Sequence, residues 1–336
     1  MKVLLHHFTP FALAHGGEQI QIERTLAALA QVGLDVDHLH WYDGKQMGDV
    51  IHFFGRVPNS LMKYAHDKGM KVVLAELLTD MGSRSPVRLG LDRVVRKAVK
   101  RVLPKALQIH FEWNSYLHAD ACVALTSWEA RLLVEQFDTP QERVHVVPNG
   151  VEDIFLENST AQRGQWLVCT ATITERKRVL ELAAAALHAE TPLWVIGKPY
   201  SESDLYGRRF LDLARQNPRL LRYEGPVADR ARLAQIYREA RGFVLLSAME
   251  SLSLSALEAA ACHCAMLLSD LPWARTVFGK SVWYCPVRAS EARTGQALRE
   301  FYDAAPRLMP PPKPCSWLEV AQQLKAIYEN LLRTSR

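Results

Sequence analysis

The stretch Leu245–Leu246–Ser247–Ala248–Met249–Glu250–Ser251–Leu252–Ser253–Leu254–Ser255–Ala256–Leu257–Glu258–Ala259–Ala260–Ala261 decides how this chain is read. The apolar run from Phe243 to Leu246 has the length and composition of a buried strand. A short serine-bearing loop follows, and a helix is expected to begin near Ser253 or Ser255. A strand end that passes into a helix N-terminus offers free backbone N–H groups and the positive end of a dipole. That setting suits an anion or a polyhydroxylated ligand. Glu250 falls in the mouth of the loop and Glu258 about one turn inside the helix, so both carboxylates can accept hydrogen bonds from one ligand. Two glutamates at this spacing also arise by chance on solvated surfaces. Here the neighbours Leu254, Leu257 and Ala259 to Ala261 are interior types, and a carboxylate among them needs a partner.

Outward from this stretch the chain alternates short apolar runs with helical patterns. Met1–His7, Leu34–Trp41, Asp49–Phe54, Lys71–Glu76, Ala121–Thr126 and Val144–Val147 read as strands, with helices over Glu18–Val32, Ser60–His66 and Ser127–Phe137. Pro148–Asn149–Gly150 is a strong turn signal, and a polar linker runs from Glu152 to Gly164. The pattern then restarts. Trp166–Thr170, Leu193–Ile196, Leu221–Tyr223, Phe243–Leu246 and Ala265–Leu268 are strand candidates; Lys177–His188, Tyr206–Gln216, Arg230–Ala240 and Ser255–Cys262 are the intervening helices. This βα alternation implies α/β architecture, two Rossmann-like lobes with a cleft between them, and ligands beyond the carboxyl ends of the strands. Arg307–Pro314 is proline-rich and extended. Trp317–Leu332 reads as a final amphipathic helix whose apolar face comprises Trp317, Leu318, Val320, Leu324, Ile327 and Leu331.

With its paired glutamates between a core strand and a helix, the chain resembles the retaining glycosyltransferases of family 4, which have the two-domain GT-B fold. The resemblance spans nearly the whole chain and is strongest from about Gly150 to Pro286. It implies an acceptor-side domain over 1–148, rejoined by a C-terminal helix over 315–336, and a nucleotide-sugar-binding domain over 149–314. It implies that Glu250 contacts the donor sugar and Glu258 holds the ribose hydroxyls. Ser251, Leu252 and Ser253 replace the glycine-rich text usual after the first glutamate, so sugar contacts there are expected to differ.

The other motifs take their roles from the same resemblance, each beside a plainer reading. Gly16 and Gly17, between the first strand and first helix, are by themselves a turn; in the family a Gly-Gly pair here borders the donor diphosphate. Thr174–Glu175–Arg176–Lys177–Arg178 is by default a basic surface patch. At a helix start it can instead neutralise a diphosphate leaving group, and Lys177 matches the family's lysine. The preceding Gly-Arg pair falls on Ala171 and Thr172, which removes a bidentate phosphate donor; Arg176 is the nearest replacement. Gly197, and Val227 just past Gly225, end strands at the same sheet edge. Both read either as ordinary turns or, from their place at that edge, as donor contacts; the resemblance implies that Val227 reads the base.

Composition bounds the partners. A net charge of +5 over 336 residues is mild and demands no nucleic acid. No run reaches the ~20 apolar residues of a membrane span, and the opening Met1–His7 reads as a strand rather than a signal peptide. Four of the six cysteines fall in apolar segments, as reduced core thiols of a cytoplasmic protein do. Cys262–His263–Cys264 lacks a second cluster to complete a metal site, and Asp35–Val36–Asp37 sits at a strand start where alternate residues face solvent. No essential metal or other cofactor is expected. Histidines such as His6, His7, His15, His38, His40, His52 and His110 concentrate in the first half, where any could orient an acceptor. After Lys71–Ala75 the chain offers Glu76 and Asp80. Val87–Lys105 forms a basic amphipathic helix with an apolar strip of Val94, Val95, Ala98, Val99 and Val102. It suits either an anionic membrane surface or a solvated lobe face.

The expected activity is hexosyl transfer from a nucleotide-diphosphate sugar to an acceptor left open among a glycan, a lipid-linked molecule and a small molecule. The alternatives are a GT-B sugar epimerase or phosphorylase, whose acid–base or pyridoxal-binding groups are not evident, and a non-catalytic nucleotide-sugar-binding partner protein, which the altered Gly-Arg pair favours.

Overall fold

The computed structural model describes residues 1–8, 11, 16–40, 42–103 and 114–333. His15, Trp41, His110, Pro104 and Lys105, and the last three residues of the closing helix segment, fall outside them. The chain forms two compact units, Met1–Asn149 with Trp317–Arg336, and Gly150–Ser316.

In chain order the first unit contains β1 (Lys2–His7), α1 (Gly17–Gln31), β2 (Asp35–His38), β3 (Val50–Phe54), α2 (Asn59–Asp67), β4 (Lys71–Ala75), α3 (Thr79–Gly82), α4 (Pro86–Val102), α5 (Ser115–His118), β5 (Ala121–Ala124), α6 (Ser127–Phe137) and β6 (Val144–Val146). Its sheet is parallel throughout, in the order β2-β1-β3-β4-β5-β6. β3 and β5 are buried along their whole length, which is why they read as continuous apolar runs rather than alternating ones. β2 pairs on one side only, with β1 over four residues. It therefore stops at His38, short of the expected end at Trp41.

The second unit contains α7 (Asp153–Leu156), β7 (Leu167–Thr170), α8 (Val179–His188), β8 (Leu193–Ile196), α9 (Leu205–Gln216), β9 (Leu221–Tyr223), α10 (Arg230–Glu239), β10 (Gly242–Leu245), α11 (Leu254–Ala261), β11 (Met266–Ser269), α12 (Pro272–Phe278), β12 (Trp283–Cys285) and α13 (Glu291–Ala304). Its parallel sheet runs β12-β11-β10-β7-β8-β9. β7 and β10 lie at its centre, so the loops after them share one edge, the carboxyl side where such sheets present ligand-binding groups. Four elements have no counterpart in the expected pattern: α7, which forms within the expected linker, α12, β12 and α13. The expected helix over Lys177–His188 begins only at Val179, because Arg178 takes a left-handed backbone (φ 53°) after a 3-10 turn at Glu175–Lys177.

The closing helix, α14 (Trp317–Arg333), belongs to the first unit and packs on α1. It buries Trp317, Val320, Ala321, Leu324, Ile327 and Tyr328. Leu318, expected on that face, is instead exposed. Two polar contacts fix the helix: the Lys325 ammonium donates to the Val32 carbonyl (2.9 Å), and the Tyr328 hydroxyl lies 2.6 Å from His52 Nδ1 on β3.

Candidate functional site

The centre of the site lies at the edge of the second sheet. β7 delivers the chain to Thr174, whose hydroxyl caps the 3-10 turn by accepting from the Lys177 amide at 3.3 Å. β10 delivers it to the loop that holds Glu250. The Ala248 amide donates to the Arg176 carbonyl (2.8 Å), so the two loops are joined through backbone. Side chains reinforce that join. The Lys177 ammonium bonds Glu250 Oε1; the Arg176 guanidinium bonds the Met249 carbonyl at 3.1 Å and stands 3.5 Å from Glu250 Oε2.

Glu250 is 6 % exposed. Burial pushes its carboxyl up, but the Lys177 ammonium and then the Arg176 guanidinium outweigh that effect and hold it below the ordinary carboxylate value. Two cations face one carboxylate, which leaves a net positive charge at the loop mouth. An incoming diphosphate would meet donors already positioned and partly desolvated.

Ser251, Leu252 and Ser253, which follow Glu250, are all buried. Ser253 closes the start of α11 by accepting from the Ala256 amide, the N-cap role expected of a serine. Glu258, inside α11, is 5 % exposed. It belongs to a separate network. Its Oε1 accepts from Arg230, and its Oε2 lies 3.3 Å from the Tyr237 hydroxyl. Arg230 also donates to Glu152 (2.8 Å) and rests its guanidinium over the Phe155 ring, 4.7 Å from the centroid. Burial dominates at Glu258 and raises its carboxyl; Arg230 opposes the shift without cancelling it.

Arg230, Glu152 and Tyr237 were not among the residues singled out in the sequence. The signal was indirect: an interior glutamate needs a cation, and Asp229 caps α10 by accepting from the Ala231 amide (2.9 Å), which sets Arg230 at the helix start.

The strand ends beside these loops follow the same edge. Ala171, at the place of the family's glycine, is buried and donates its amide to the Ile196 carbonyl (3.0 Å). Thr172, at the place of the arginine, is half-buried. Gly197 has φ 145°, and a Cβ there would stand 2.0 Å from the Ala171 carbonyl oxygen, so glycine is required. Val227 is half-buried in the loop after β9. Gly16 and Gly17 lie in the first unit, where Gly16 is the N-cap of α1.

The first unit has its own hollow of about 290 Å³, lined by Glu18, Gln21, Phe54, Gly55, Glu76 and Thr79. Glu76 is held there by Arg56 through two bonds (3.0 and 3.1 Å) and by the Tyr116 hydroxyl. Asp80 instead pairs with Arg84.

Among the described residues, no three His, Cys, Asp or Glu side chains gather as a metal would require. Cys262 and Cys264 are buried thiols, pushed up to about 12 and about 11 by burial. No described helix is long and apolar enough to cross a membrane.

Comparison with known proteins agrees with this architecture. Residues 164–303 match the family model described as glycosyl transferases group 1. No curated protein matches the sequence significantly. Among solved structures, the chain is similar to a glycosyltransferase from Rickettsia africae ESF-5 (13 % identity, 98 % of each chain covered, TM-score 0.65). It is also similar to the sucrose-phosphate synthase of Thermosynechococcus elongatus (15 % identity, 99 % of each chain, TM-score 0.65). A third relative in shape is Anabaena Alr3699/HepE, solved in complex with UDP (13 % identity, 98 % of this chain and 100 % of that one, TM-score 0.62). At these identities the likeness speaks to the fold, and the fold is GT-B.

Proposed function

We propose that this chain is a retaining glycosyltransferase of the family 4 type, moving a hexosyl group from a nucleotide-diphosphate sugar to a hydroxyl acceptor. The observation that carries the reading is the buried Glu250 carboxylate clasped by Lys177 and Arg176 at the carboxyl edge of the second sheet, inside the stretch that matches group 1 glycosyl transferases. The HepE structures with UDP and with UDP-glucose support a nucleotide-sugar donor.

In this reading the bond between the anomeric carbon and the β-phosphate oxygen breaks as the acceptor oxygen bonds that carbon from the same face. The acceptor's proton passes to the departing phosphate oxygen. Lys177 and Arg176 stabilise the charge that develops on the diphosphate, Glu250 orients the sugar, and Glu258 holds the ribose. Gly197 and Val227 complete the donor contacts of the second unit. No protein nucleophile, metal or other cofactor takes part. With five of six free thiols buried, the enzyme is assigned to the cytoplasm.

A second reading, a nucleotide-sugar-binding protein without turnover, is favoured by one feature. Ala171 and Thr172 supply no cation, and those at hand are engaged with Glu250. Titration with a panel of nucleotide-sugars, following both binding and nucleoside diphosphate release, separates the two. Release that falls roughly 100-fold or more in Lys177→Ala supports transfer. Binding without release under every acceptor tried supports the second reading. An unchanged nucleotide affinity in Glu258→Ala overturns the ribose assignment.

A further inference from the structure

α4 has the charge and surface of an element that meets something other than water. Within Pro86–Val102 it carries six basic side chains and one acidic one, a net of +5, equal to the formal charge of the whole chain. The remainder of the chain is thus formally neutral overall, and the helix is a concentrated source of positive field.

The helix is anchored by a narrow face. Leu89 is buried, and Arg96 is buried with its guanidinium donating to Gln136 (2.7 Å) and lying over the Phe137 ring, 4.8 Å from the centroid. Asp92 pairs with Arg84 at 2.6 Å. The opposite face is apolar and uncovered. Val87, Leu91, Val94, Val95 and Val102 are 84, 62, 65, 52 and 83 % exposed, and Ala98 is exposed between them. Their spacing places them in one stripe about 100° wide at 100° per residue. Five of the fourteen exposed large hydrophobics among the described residues lie on this one helix. Val99, expected in the strip, is half-buried, while Val87 and Leu91 extend the stripe toward the N-terminus. Exposed Arg88 borders the stripe on one side, and exposed Lys97 and Arg101 on the other.

We propose that α4 docks in the plane of an anionic lipid surface, its valine–leucine stripe entering the boundary between headgroups and acyl chains and its rim cations meeting lipid phosphates. An in-plane helix requires this combination: an outward apolar face, flanking Lys or Arg, and too few apolar residues to span. A second copy of the chain is a poor occupant, because two faces flanked by the same charge would repel. The inference is independent of glycosyl transfer, since it concerns a surface helix of the first unit and no donor-binding residue.

Co-sedimentation of the full chain with sucrose-loaded vesicles tests it, using phosphatidylcholine alone against phosphatidylcholine with about 30 % phosphatidylglycerol at about 0.1 M salt. The expected result is partitioning at least about tenfold stronger onto the anionic vesicles, weakened about fivefold by Lys97→Gln. Leu91→Ser with Val94→Ser, which keeps every charge, is expected to weaken it about tenfold. Both side chains are exposed, so an unchanged urea midpoint identifies the variant as folded. Equal partitioning onto neutral and anionic vesicles overturns the proposal, as does no partitioning at all. So does anionic binding that ignores the double serine variant. A concentration-dependent dimer in sedimentation velocity, lost in that variant and unaccompanied by vesicle binding, overturns it in favour of a second copy.

Discussion

Two histidines of the first unit and two glutamates of the second are buried in contrasting ways. In the first sheet, burial keeps two histidines neutral: it pushes His6 down to about 4 and His52 down to about 3, and His52 meets a neutral tyrosine. In the second, the covered groups are carboxylates set against cations, Glu250 with Lys177 and Arg176, and Glu258 with Arg230. A neutral buried ring costs little while the pH stays above its ordinary, unfolded value. A buried ion pair costs desolvation at every pH and is weak grounds for stability. The second unit keeps two such arrangements at one sheet edge, and that expense is intelligible where a charged ligand is to be received.

The largest expected effect tests the ion-pair half of this contrast. Arg230→Ala leaves Glu258 buried without its cation and is expected to destabilise the second unit by about 3 kcal/mol. Adding Glu258→Gln should recover much of that loss. Urea denaturation followed by amide exchange in α11 reads both. A loss no greater than that of Arg215→Ala, whose side chain is 75 % exposed, would show that Glu258 is not desolvated and would collapse the comparison.

Acid tests the histidine half. The unfolded chain binds a proton at His52 near the ordinary value of 6.5, whereas the folded chain does so only near 3. Stability is therefore complete above 6.5 and is lost as the pH falls from there toward 3. Between pH 7 and 4.5 the loss should be about 2–3 kcal/mol, seen as faster amide exchange in β3. His52→Asn should flatten that dependence. A slope that survives the substitution assigns the acid sensitivity elsewhere.

The smallest effect is expected from Tyr328→Phe, which removes the hydroxyl beside His52 and should cost about 1 kcal/mol. If the His52 titration, followed by NMR of the imidazole, moves upward in this variant, the hydroxyl acts as donor to a ring held in one tautomer.

Most of the sheet pattern was legible because buried parallel strands announce themselves as apolar runs. α6 begins where the sequence places it because Thr126 supplies a side-chain cap, accepting from the Glu129 amide at 3.1 Å. β12 was not legible: three residues at a sheet edge are fixed by pairing with β11, not by local pattern. α8 was misplaced at its start because nothing in Arg176–Lys177–Arg178 reveals that Arg178 turns left-handed. In the site, the covered glutamates were readable from their interior neighbours. The partner of Glu258 was not, because Arg230 lies 28 residues away and only the fold brings it near.

The closing helix has a consequence for synthesis. The second unit begins and ends at adjoining points, with the Val151 amide bonded to the Cys315 carbonyl (3.0 Å) and Val151 bridged to Ser316. All its strands and helices are therefore made before α14 leaves the ribosome. The first unit, though its other elements are translated earlier, keeps the α1 surface and the His52 ring uncovered until Tyr328 arrives. The part of the protein that is born first is thus the last to be completed, and a chain released before residue 317 would carry every element of the second unit but a first unit still missing one wall.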